Sequence, residues 1–153
     1  MKEIAGKLDA TDMKIAVVVS RFNSFFTEQL VKGAADCFER HGGNEANLTL
    51  VRVPGANEIP QIAQKLAGSS RYDAVVALGV VVQGATPHAD LINGTVARAL
   101  SKIGLDTGVP VLNGIVAAQN LEQAVERAGT KHGNKGWDAL LAAIETVAVL
   151  KAL

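Results

Sequence analysis

At 153 residues and 48% hydrophobic content the chain is long enough for one well-buried core and is read as a single domain. Fifteen acidic residues balance fifteen basic ones, so bulk electrostatics draws it neither to nucleic acid nor to an anionic membrane. No charged-then-apolar leader opens it and no apolar run approaches the roughly 20 residues that span a bilayer, which makes the cytoplasm the expected compartment.

The first 13 residues stand outside any alternation of elements and read as an N-terminal arm, with Ile4 to Leu8 a possible extra edge strand. Residues 14–20 hold the β-branched run Ile15-Ala16-Val17-Val18-Val19, which is continuous rather than alternating and so reads as a strand buried on both faces. Over 24–41 the apolar residues Phe26, Leu30, Ala34, Cys37 and Phe38 recur at helical spacing, and Gly42-Gly43 supplies the stop. The same order repeats: a strand over 48–53, a turn at Pro54-Gly55 and a helix over 59–66; then a strand over 74–82 and a helix over 87–103. A fourth strand over 109–116 feeds a helix that Asn120 can cap, with Gln123 reaching back as in a capping box. A break at 129–136 precedes a last helix over 137–153, whose Trp137, Leu140, Leu141, Ile144 and Val147 form a mostly apolar stripe.

Strands alternating with crossover helices predict an α/β fold, a three-layer α/β/α sandwich around a four-stranded parallel sheet joined by right-handed crossovers. In such a sheet a ligand binds beyond the carboxyl ends of the strands, so four loops, 21–24, 54–58, 83–88 and 117–120, are expected to share one pocket. The third is the most informative. There an apolar strand empties through Gly84 and Ala85 into a helix start at which Thr86 reads as the N-cap and Pro87 as the first helical residue. Backbone N–H groups at such a start, approached past small residues on the positive end of the helix dipole, form an anion site. His88 stands beside it and reads either as a solvated histidine or as a proton-transfer group, since an imidazole exchanges protons near neutral pH.

Other candidates are weighed against blander roles. Arg127 and Lys135 bracket a loop rich in turn formers and positive charge; either reads as a surface cation, or as a phosphate or hydroxyl contact. Glu58 near a helix start either complements the dipole or binds donors on a ligand. Phe22, a ring in a polar loop, suits stacking on a planar heterocycle. His41 at a helix C-terminus reads as structural, His132 as a loop residue, and the lone Cys37 as core filler that can make no intramolecular disulfide. Three histidines with no Cys or His at ligand spacing predict no metal site.

Four segments carry a family resemblance: Ser20-Arg21-Phe22-Asn23, the run 53–60 (Val-Pro-Gly-Ala-Asn-Glu-Ile-Pro), Gly84-Ala85-Thr86-Pro87-His88, and the long run 122–136. From about Ile4 onward the chain resembles the lumazine synthases. The resemblance implies a flavodoxin-like fold and a cofactor- and metal-free condensation of 5-amino-6-(ribitylamino)uracil with 3,4-dihydroxy-2-butanone 4-phosphate, losing phosphate and water. It implies that the Ala85 and Thr86 amides and Arg127 hold the phosphate, that His88 transfers protons, and that Phe22 stacks on the pyrimidine. The backbone of Ala56, Asn57 and Glu58, with the Glu58 side chain, would engage the ribityl chain; Asn113 would stand in the pocket wall and Lys135 within the pocket. It also implies a site between subunits: Phe22, Ala56, Glu58, Ala85, Thr86 and His88 from one chain, Arg127 and Lys135 from its neighbour or near the shared boundary. The family's pentamers, and in some members closed shells of about sixty chains, are implied as well; the short 129–136 connection resembles the shell-forming type, and Ile4 to Leu8 would add a strand to a neighbour's sheet. Asn57, Gln83, Ala89, Leu91, Asn113 and Ala117 depart from the residues usual in the family, so two readings stand: a synthase, or a synthase-like shell or scaffold with an altered pocket.

Overall fold

Four parallel strands form the centre of the computed structural model, which describes residues 1–130 and 133–153. The strands β1 (Ile15–Ser20), β2 (Leu48–Val53), β3 (Ala74–Val82) and β4 (Val111–Ala118) lie in the order β2-β1-β3-β4. Central β1 is buried along its whole length, and β3 up to Val80, which is why both read as unbroken apolar runs. Outer β2 and β4 carry exposed residues such as Leu50 and Asn113. The helices are α1 (Ser24–Arg40), α2 (Ile59–Ala67), α3 (His88–Thr107), α4 (Leu121–Arg127) and α5 (Lys135–Ala152).

Side-chain alternation along the strands divides the core in two. Val17, Val19, Val76 and Leu78 meet Leu30, Cys37 and Phe38 of α1 and Leu140 and Ile144 of α5 on one face. Ala16, Val18, Val75 and Ala77 meet Ile59 and Ala63 of α2 and Val96, Leu100 and Ile103 of α3 on the other. The result is the expected three-layer α/β/α sandwich of flavodoxin-like strand order. Each fully buried Leu, Ile or Val contributes about 1.5–3 kcal/mol.

Several boundaries differ from the sequence expectation. The fourth strand lies two residues later than 109–116, because Pro110 has no N–H to give a ladder and serves only as an acceptor, from Val75 N–H at 2.9 Å. Helix α3 continues past Ile103 through Gly104; its stop is Gly108, left-handed at φ 72° and bonded from its N–H to the Gly104 carbonyl. At its start Pro87, not Thr86, occupies the cap position, and no side chain caps the helix. Helix α5 begins at Lys135 rather than 137, since Asn134 Oδ1 accepts from the Gly136 and Trp137 N–H groups at 2.8 and 3.1 Å. The expected break at 129–136 contains an antiparallel ribbon, β5 (Ala128–Thr130) with β6 (Gly133–Asn134). His132 lies outside the described residues.

Within the chain Ile4 to Leu8 forms no edge strand; residues 1–10 have no regular secondary structure. The arm instead lies against α5, where a Cβ on Gly6 would fall 2.4 Å from the Glu145 carbonyl oxygen. It is pinned at its far end by the Ala10 N–H to His41 carbonyl bond of 2.8 Å. No helix among the described residues is long and apolar enough to cross a membrane.

Cys37 is core filler, as its spacing indicated: fully buried, with burial and then the charges of Asp36 and Asp138 pushing its thiol up to about 11. His41 takes the structural place expected of it, Nδ1 2.6 Å from the Cys37 carbonyl oxygen. In the folded protein at pH 8, Cys37 is therefore expected to react with a thiol reagent more than about a hundredfold slower than in denaturant. Equal rates in the two states would contradict this burial.

Candidate active site

The crevice follows from strand order. Neighbouring strands β1 and β3 send their helices to opposite faces, α1 to one and α3 to the other, so their carboxyl ends part and leave a cleft of about 530 Å³. From the end of β1 and its loop, Ser20, Phe22 and Asn23 line it; after β2, Pro54 to Glu58; from the end of β3 and its loop, Val80 to Val82, Gly84 and Thr86; and from the start of α3, His88, Ala89 and Ile92.

Each wall is fixed by backbone bonds rather than by side-chain packing alone. The Arg21 and Phe22 N–H groups donate to the Val53 and Pro54 carbonyls at 2.8 and 3.1 Å, tying the loop after β1 to the loop after β2. Phe22 keeps 73% of its surface exposed, an unburied ring beside the cleft. Residues Ala56–Glu58 make one tight helical turn, closed by the Glu58 N–H to Gly55 carbonyl bond of 3.2 Å. The Glu58 carboxylate folds back over Gly55, 3.1 Å from where a Cβ there would lie. Beyond β3, the Gln83 N–H donates to the Ala118 carbonyl at 2.8 Å, and its side-chain amide points to the Thr86 carbonyl at 3.4 Å. Val80, Val81, Val82, Ala89 and Ile92 make one apolar part of the lining, its floor, and Ser20, Asn23, Asn57, Glu58, Thr86 and His88 supply polar groups around it. Such a shape suits a planar ring with a polar tail.

Of the residues singled out from the sequence, Phe22, Ala56, Asn57, Glu58, Thr86 and His88 are brought together here. Ala85 is exposed at the helix start between two lining residues, Gly84 and Thr86, without lining the cleft itself. Asn113, Arg127 and Lys135 do not reach it, nor does the loop 117–120. Three of the four expected loops therefore share the pocket. The fourth is excluded because β4 is the outermost strand on that side, one place removed from the β1–β3 crevice.

Those excluded residues have their own order. Asn113 is exposed on β4 and turns its Oδ1 to the Ile115 N–H at 3.0 Å. The Arg127 guanidinium donates to the Ala117 carbonyl at 2.9 Å, and Lys135 is the exposed first residue of α5. The capping at Asn120 takes the expected form: its Oδ1 accepts from Gln123 N–H at 2.9 Å, while Gln123 Oε1 accepts from Gln119 N–H at 2.8 Å, one residue earlier than a standard box. Val81, Val82 and Ile92 line the cleft without having been singled out, and Ser20 and Asn23, which belong to a resemblance segment, line it without having been given a role. Extending the carboxyl-end rule to the last strand residues and to the first turns of α1 and α3 finds them. Among the described residues no group of three or more His, Cys, Asp or Glu side chains stands ready for a metal ion.

A doubly wound parallel sheet with a preformed apolar cleft and a histidine at a helix start defines an α/β protein that binds a small molecule at its strand ends. Comparison with known proteins narrows this. Residues 12–151 match the family model described as 6,7-dimethyl-8-ribityllumazine synthase. Relatives named 6,7-dimethyl-8-ribityllumazine synthase include one from Prosthecochloris aestuarii, 53% identical over 96% of this chain and 95% of its own. Another, from Chlorobium phaeobacteroides, is 51% identical over the same shares, and one from Chlorobium phaeovibrioides is 48% identical over 100% of this chain and 99% of its own. The chain belongs to the 6,7-dimethyl-8-ribityllumazine synthase family.

Proposed function

We propose that this chain condenses 5-amino-6-(ribitylamino)uracil with 3,4-dihydroxy-2-butanone 4-phosphate to give 6,7-dimethyl-8-ribityllumazine, the riboflavin-pathway reaction of its family. The observation that carries the reading is the convergence of Phe22, the 56–58 turn, Thr86 and His88 on one cleft, in a chain that matches relatives named for this synthase over nearly its whole length. The rival reading, a shell or scaffold that has lost the chemistry, is not favoured by that match.

In the proposed arrangement Phe22 stacks on the pyrimidine, and the Ala56–Asn57–Glu58 backbone with the Glu58 carboxylate takes the ribityl hydroxyls. The phosphate sits at the α3 start on the Ala85 and Thr86 amides, where the helix dipole favours an anion. His88, at the first position of that helix, moves protons between the amine, the ketone oxygen and the departing phosphate. No cofactor or metal is called for: an amine attacks a ketone without one. Holding the two substrates in register supplies several kcal/mol, and a positioned acid–base about 10²- to 10⁴-fold.

Among the described residues no lysine or arginine lines the cleft, and Arg127 and Lys135 lie outside it. That placement supports a site shared between copies, one chain giving the cleft and its neighbour Arg127, Lys135 and the Asn113 wall. The enzyme is then a homo-oligomer, proposed as pentamers closing into a 60-subunit shell. Residues 14–153 act as one domain, and the 1–13 arm, unpaired within the chain, adds Ile4 to Leu8 to a neighbour's sheet. The working compartment is proposed to be the cytoplasm.

With both substrates supplied, the assembled protein is expected to form the lumazine chromophore above the uncatalysed rate, and His88→Ala to slow it by about 10²- to 10⁴-fold without abolishing it. Background rates from assembled wild-type protein would overturn the synthase reading; an unchanged rate in the variant would remove His88 from proton transfer. Sedimentation is expected to show a species of shell mass, and a profile of pentamers alone would refute the shell.

A further inference from the structure

Asn23 is the residue at which three parts of the cleft are joined. It sits between β1 and α1 in the left-handed conformation, φ 63° and ψ 42°, which asparagine tolerates better than most non-glycine residues. That conformation turns the chain sharply from strand to helix, and the residue before the turn is Phe22. The Asn23 side chain does not cap α1. Its Nδ2 instead crosses to the next strand and donates to the Val80 carbonyl at 2.8 Å.

Strand register explains why that carbonyl is free. The β1–β3 ladder ends at the pair Val19 and Leu78, whereas β3 runs on to Val82 beside β4. On the β1 side the carbonyl of Val80 has lost its strand neighbour, and the Asn23 amide supplies the donor that a longer β1 would have given. The bond joins the loop that carries Phe22 to the floor of the cleft. On its other side the same loop is held to the end of β2 by the Arg21 and Phe22 N–H bonds to Val53 and Pro54. Phe22 itself, 73% exposed, has too little packing to fix its own ring. Its position depends on the backbone beneath it.

We infer that Asn23 is a positioning residue that sets the height of the Phe22 ring over the cleft floor, through its amide bond to the Val80 carbonyl, and thereby sets affinity for the planar pyrimidine substrate. The inference rests on the stacking role proposed for Phe22. It makes Asn23 specific to one substrate: among the described residues no hydrogen bond runs from this loop to the α3 start, where the phosphate is proposed to sit.

Two variants separate the amide from the backbone conformation. Asn23→Gly adopts a positive φ without strain and removes only the side chain; Asn23→Asp keeps the size and places an oxygen against the Val80 carbonyl. Binding of 5-amino-6-(ribitylamino)uracil alone, and of inorganic phosphate, is measured by calorimetry on assembled wild-type protein, both variants, Phe22→Ala and the Phe22→Ala/Asn23→Gly double variant. Asn23→Gly is expected to weaken pyrimidine binding about tenfold, the size of one lost hydrogen bond, with phosphate affinity changed less than about twofold. Asn23→Asp is expected to weaken it at least as much. In the double variant the effect of Asn23→Gly should vanish, because the ring it positions is gone. Wild-type pyrimidine affinity in Asn23→Gly, equal losses for both ligands, or additive effects in the double variant would overturn the inference while leaving the synthase reading intact. Failure of the wild-type protein to bind the pyrimidine would overturn both.

Discussion

The structure depends on a single topological constraint, the adjacency of β1 and β3 while α1 and α3 leave for opposite faces. Two strands that feed helices in opposite directions cannot keep their carboxyl-end loops in contact, so a crevice opens there without cost in core packing. Everything functional follows from that gap. The carboxyl end of β3, with Ala89 and Ile92 of α3, forms its floor, the loops after β1 and β2 form one side, and the start of α3 brings Thr86 and His88 to the other.

Much of this was legible in the residues, for identifiable reasons. A central strand of a parallel sheet is buried on both faces and must be apolar throughout, so β1 and β3 announced themselves; the bounds of β3, 74–82, agree at both ends. Where signals competed, boundaries slipped. The helix expected over 87–103 runs on to Thr107, because Gly104 is tolerated within it and the left-handed Gly108 makes the actual stop. Thr86 read as a cap by residue type, but Pro87 takes that place. The expected pocket contained one loop too many because spacing reveals strands and helices, not their lateral order, and β4 lies outside the crevice. Asn23 drew no role of its own because its partner, the Val80 carbonyl, is 57 residues away and becomes free only through the register of β1 against β3.

The residues absent from the cleft are held as firmly as those within it. Asn134 caps α5 with its Oδ1, contributing about 1 kcal/mol, while its Nδ2 donates to the Gln29 carbonyl at 2.8 Å. Gly136 then lies so close to α1 that a Cβ would come 2.0 Å from the Leu30 carbonyl oxygen. Together these contacts dock the start of α5, and with it the backbone of Lys135, onto α1; Arg127, at the same end of the ribbon, is fixed by its bond to Ala117. Arg127 and the backbone of Lys135 are thus held away from the chain's own cleft, which is the observation behind the proposed division of the site between copies.

Co-assembly tests that division most directly. His88→Ala and Arg127→Ala chains, each slow when assembled alone, are unfolded together, refolded at equal amounts into mixed oligomers, and assayed for lumazine formation. If each site takes its cleft from one chain and its arginine from the next, about a quarter of the sites in a random mixture regain both groups, and activity rises well above that of either variant. If a single chain supplied both, no mixed site would be whole, and the mixture would show only the average of the two variants.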